Sequence, residues 1–104
     1  ARAESRGERV ICFAHMPLMP PDGQFTLWNN GQIAALLQRY PCVRAFLAGH
    51  HHKGGAHRFG SVLHFIFQGM IEGPDNHYAI VEVYPDKLVI RGYGAQRDET
   101  LRWL

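Results

Sequence analysis

At 104 residues and 46% hydrophobic content, the chain is sized for one small domain with a packed core. A net charge of +2, with arginines scattered along the sequence, excludes the massed basic face of a nucleic-acid-binding domain. No apolar stretch reaches membrane-spanning length, and two cysteines, Cys12 and Cys42, do not make a disulfide framework. Free thiols in or beside strands are expected for both, in reduced, cytoplasmic surroundings.

Residues 1–8 are polar and charged and lack the apolar run of a signal peptide. They read as a disordered or tag-like lead-in to a single unit over 9–104. The continuous apolar run from Arg9 to Ala14 predicts a strand buried on both faces. Pro17, Pro20, Pro21 and Gly23 make the following stretch a loop. Asn29 and Gln32 have the spacing of a capping box. Ile33, Leu36, Leu37 and Tyr40 then give the stripe of an amphipathic helix that stops at Pro41.

Val43–Ala48 is a second strand, and strand–helix–strand at this length predicts a parallel pair. A histidine- and glycine-rich loop follows. Three more strands are expected, over Val62–Phe67, His77–Tyr84 and Lys87–Tyr93, the last two joined by a tight hairpin at Tyr84–Lys87. The chain thus opens as α/β and closes as an antiparallel β layer.

The chemistry concentrates at two strand ends. His15 follows the first strand, and Gly49-His50-His51-His52 follows the second, 35 residues later. Side chains at such strand ends collect around ligands in α/β folds. Imidazoles there suit a first-row transition metal, and the flanking glycines let the backbone curl so that His50 and His52 address two neighbouring ions. His51 could face substrate or solvent, and Lys53 could meet a phosphate or stay a solvated loop lysine. Trp28, Phe25 and Tyr93 could stack on a nucleobase, with packing in the core the commoner role for such rings. His64 reads as a half-buried strand residue, His57 and Arg58 as surface, Glu72 as a turn residue, and Asp75-Asn76-His77 as a turn leading into a strand.

These elements resemble the C-terminal half of a calcineurin-like metallophosphoesterase, in the strand–H-x-P element (His15, Pro17) and the strand–G-H-x-H element (Gly49, His50, His52). A finer likeness is to the manganese-dependent ADP-ribose/CDP-alcohol diphosphatase branch. Its carriers are Trp28-Asn29, Ala48 to Gly55, Gly69-Met70-Ile71-Glu72, and Val83 to Lys87 followed by Gly92-Tyr93-Gly94. The resemblance implies one half of a four-layer α/β/β/α sandwich, with a mixed sheet, one main helix and a C-terminal β-hairpin. It implies two divalent cations, manganese by likeness, with zinc, iron, nickel or cobalt also acceptable to these donors. His15 and His50 would ligate one ion and His52 the other. His51, Lys53 and Trp28 are the substrate-side candidates, for a small nucleotide-type substrate.

The same resemblance implies motifs that this sequence does not carry in a matching place: D-x-H, a bridging Asp, and G-N-H-D/E. Asp75-Asn76-His77 matches the first only as a string, in a turn after Gly73-Pro74 and not at the first strand. No catalytic residue is therefore assigned within the chain. Alone it is expected to be inactive or nearly so, completed by an N-terminal half or by a second copy of itself. A phosphomonoesterase or cyclic-nucleotide phosphodiesterase of the same superfamily is the alternative among enzymes. A non-catalytic metal-binding or assembly module is the alternative outside them.

Overall fold

The expected strand–helix–strand unit forms, after one short helical turn. In the computed structural model, which describes residues 1–21, 23, 25–70 and 76–103, the order is α1 (Arg2–Ser5), β1 (Val10–Phe13), α2 (Asn30–Gln38), β2 (Val43–Ala48), β3 (Gly55–Phe59), β4 (Val62–Ile66), β5 (Tyr78–Val83), β6 (Lys87–Tyr93) and β7 (Glu99–Arg102). Two sheets result. One is mixed, in the order β1-β2-β4-β3, with β1, β2 and β4 parallel and β3 antiparallel at the edge. The other is the antiparallel meander β5-β6-β7.

Alternation along β2 explains why its run is apolar throughout. Val43, Phe46 and Ala48 join α2 and the loop residues Leu18 and Met19 in one core. Ala45 and Leu47 join Leu63 and Phe65 of β4, and Leu88 and Ile90 of β6, in a second. The central strands are therefore covered on both faces, by the helix and by the second sheet, in the manner of buried parallel strands. Arg9 and Arg58 add long-range hydrogen bonds. Their guanidinium groups donate to the carbonyls of Pro85 at 2.7 Å and Arg102 at 2.8 Å, tying the mixed sheet to the meander.

Several expectations change. Residues 1–8 carry one helical turn, and Ala3 packs against the first core. Residues 55–59, read as loop, form an edge strand whose side chains face mostly solvent, so no buried stripe announced it. The helix begins after Asn29 without a side-chain cap, and Asn29 Oδ1 is buried without a partner among the described residues, so the capping box does not form. Asn30 instead donates to the carbonyls of Leu18 and Pro21, each at 3.1 Å, and pins the proline-rich loop. His64 is fully buried rather than half-buried. Cys12 and Cys42 are free, and burial pushes the Cys12 thiol up, with Cys42 adding to the effect. Among the described residues no helix is long and apolar enough to cross a membrane.

Candidate metal centre

Parallel pairing of β1 and β2 delivers His15 and the His50 turn side by side. Phe13 registers with Leu47, and the Ala14 N–H donates to the Leu47 carbonyl at 3.0 Å. The ladder continues past the strands, where Gly49 N–H donates to the His15 carbonyl at 2.9 Å. The turn is then fixed internally, by His51 N–H to Gly49 O at 2.7 Å and Gly54 N–H to His51 O at 2.9 Å. Gly69 N–H clamps the His52 carbonyl from the far side at 3.0 Å.

His50 has φ of 67°, in the left-handed region. That conformation costs a non-glycine residue about 1–2 kcal/mol, and such strain collects at functional sites. Here it coincides with a ring contact. His15 Nε2 and His50 Nδ1 stand 3.1 Å apart, with ring centroids 4.9 Å apart and planes at 69°. One nitrogen must donate and the other accept, so the pair shares a single proton.

The separation of the two nitrogens is also one that a shared cation would give. With metal–nitrogen bonds of about 2.0–2.1 Å, two imidazole nitrogens on one ion lie about 2.9 Å apart at a right angle and about 3.3 Å apart in a tetrahedron. The observed separation falls between these values. Phe25 packs on the other side of the turn, with ring centroids 5.5 Å from His50 and 5.0 Å from His51. It shields that side of the turn from water.

The other candidates separate. Among the described residues, no three His, Cys, Asp or Glu side chains gather into a metal-binding group, so His52 does not assemble with His15 and His50. His51 is half-buried against Phe25. Trp28 is 88% exposed rather than packed in the core. Tyr93 stacks on Tyr78 across the β5–β6 pair, with centroids 4.7 Å apart. Lys53 lines a cavity of about 290 Å³ together with Arg97, Gln68 and Gln96, residues that sequence reasoning missed. No local pattern marks them, because three segments distant in sequence build that cavity. Ile71, Glu72 and Asp75 lie outside the described residues.

No family model matches the chain. It is 35% identical over 109 residues to the manganese-dependent ADP-ribose/CDP-alcohol diphosphatase of Xenopus laevis, covering 97% of this chain and 30% of that protein. Proteins of the same name from Oryza sativa subsp. japonica (37% identical, 92% of this chain and 32% of the relative) and Homo sapiens (34%, 97% and 31%) match similarly. The chain thus spans about a third of the length of the curated relatives it matches. A crystal structure of a dimetal phosphatase from Danio rerio superposes on 99% of this chain and 34% of that one, with a TM-score of 0.88 and 30% identity. In sequence and in fold alike, the chain resembles a metallophosphoesterase half, one portion of a dimetal phosphatase.

Proposed function

We propose that this chain contributes the histidine side of a dinuclear metal centre, manganese by analogy with the relatives' names, in a hydrolase acting on ADP-ribose or CDP-alcohol type substrates. The observation that carries this reading is the convergence of His15 Nε2 and His50 Nδ1 at 3.1 Å from the ends of two parallel strands. Imidazole donors leave a bound divalent ion Lewis-acidic, and paired ions of this kind activate water and neutralise phosphoryl oxygens. His15 and His50 would hold one ion. His52, presented by the same clamped turn, would serve the second. The bridging carboxylates belong on another stretch of polypeptide, which would also cover the open edge of β1. That stretch is an N-terminal half or, failing it, a second copy of this chain. Free Cys12 and Cys42 suit a reducing, cytoplasmic setting.

The test is hydrolysis of ADP-ribose with added manganese, first by the 104-residue chain alone and then after mixing with an N-terminal segment carrying D-x-H, a bridging Asp and G-N-H-D. The expected result is little turnover alone and recovery on mixing, lost again in His50→Ala. An assembled complex that binds no metal and cleaves nothing would overturn the proposal in favour of a non-catalytic assembly module.

A further inference from the structure

One residue beyond His52, the backbone enters a cavity of about 290 Å³ between the β3–β4 edge and the segment joining β6 to β7. Two glycines shape this cavity. Gly54 has φ of +75°, and a Cβ there would lie 3.0 Å from the Ile66 carbonyl. A Cβ on Gly92 would run into the Gln96 carbonyl, so glycine at 92 is what lets the 93–98 segment fold back onto β6. That segment is fastened twice more. The Gly92 N–H donates to Asp98 Oδ1 at 2.7 Å, and the buried Gln96 side chain accepts from the Gln68 N–H at 2.8 Å. Arg97 is thereby carried to the same cavity as Lys53, and neither side chain forms an ion pair among the described residues.

The lining selects a ligand class. Two cations favour a phosphate, and charge-assisted hydrogen bonds from Arg and Lys are the strong form of that contact. Glu99 and Gln68 supply acceptors for hydroxyl groups. The aromatic side chain in the lining, Phe65, is sunk in the core between the sheets and packed edge-on against Phe67, which leaves no ring face for a base to stack on. At about 290 Å³ the cavity sits at the small end of ligand pockets, sized for one end of a nucleoside diphosphate sugar rather than the whole.

We propose that the Lys53–Arg97 cavity binds a phosphorylated sugar, the end of a diphosphate-linked substrate that carries no base. This deepens the phosphohydrolase reading and rests on it for the identity of the whole substrate. Binding of the fragment itself is a separate property of this chain.

The test uses the 104-residue chain in a chelating buffer, titrated with ribose 5-phosphate and followed by amide NMR. Saturable shifts at residues 53–56, 68 and 96–99 are expected. Arg97→Gln and Lys53→Gln should each weaken binding at least about tenfold, the loss expected for one charge-assisted hydrogen bond, with Arg97→Lys partly restoring it. His50→Ala should bind the fragment normally, so failure of the metal centre and failure of this site read out separately. The proposal is overturned by shifts that do not saturate or map elsewhere. It is equally overturned by adenosine or inorganic phosphate binding as tightly as ribose 5-phosphate, or by Arg97→Gln binding unchanged.

Discussion

His15 Nε2 and His50 Nδ1 face each other at 3.1 Å because each follows a strand of one parallel pair. A divalent ion added to the isolated chain should bind at both nitrogens, the proton between the rings passing to the far nitrogen of its own imidazole. It should be released by either His15→Ala or His50→Ala, with affinity lowered at least about tenfold, since half of a two-donor set is lost. His52→Ala should leave this binding nearly unchanged, because His52 is not gathered with the pair. Titration calorimetry with manganese or cobalt measures all three.

His64 sets a pH dependence of stability. Its ring is 3% exposed, lies 5.8 Å from Phe46 and has neither nitrogen hydrogen-bonded among the described residues. Burial, with a smaller push from His57, brings its pKa down to about 4 from 6.5. The unfolded chain takes up a proton as pH falls through about 6.5, whereas the folded chain resists until about 4, so stability declines across that window and levels off below it. The full effect is about 3 kcal/mol. Chemical denaturation at pH 7 and pH 4.5 should reveal the loss, and His64→Leu should flatten it. An equal slope in the variant would assign the effect to other groups.

Gly92→Ala should be among the most damaging single changes, since its methyl would occupy the place of the Gln96 carbonyl. A loss of about 2 kcal/mol or more is expected, with Arg97 displaced from its cavity. Gly31→Ala, where a methyl meets nothing within 4 Å on an exposed helix position, should stabilise slightly through helix propensity. Urea midpoints of the two variants provide the comparison.

Leu47 and Leu88 are both fully buried in the core that joins the sheets. Leu88→Ala should cost about 2–5 kcal/mol and loosen the meander from the mixed sheet. Hydrogen exchange should then rise in β5–β7 before it rises in β2 and β4.

Phe13 is 73% exposed at the end of β1, an edge strand. Exposed apolar edges invite pairing with another chain. Sedimentation of the isolated chain should report self-association that Phe13→Asp weakens. A monomer at all concentrations would remove the second-copy arrangement from consideration.

Legibility in the sequence followed burial. β2 and β6 occur over the residues expected, because each has a buried apolar stripe bounded by a turn residue. β3 escaped because its residues face water, and β7 because four residues with a shallow alternation give too weak a period. The nearness of His15 to His50 followed from two strand ends in a parallel unit, a relation that sequence order carries. The Lys53–Arg97 cavity followed from nothing local, since sheet-on-sheet packing alone joins its walls. Trp28 misled in another way, for a large ring gives no hint in sequence of whether a neighbour will cover it.

The backbone ladder that runs from β1 and β2 into the two histidine turns has an evolutionary corollary. The spacing of the two imidazoles is set by neighbouring main chains, so insertions or deletions in the long crossover between them could accumulate while both rings stay in place. A homologue with a very different crossover should therefore keep its histidines at this separation, whereas a single bulge introduced into β1 should abolish it.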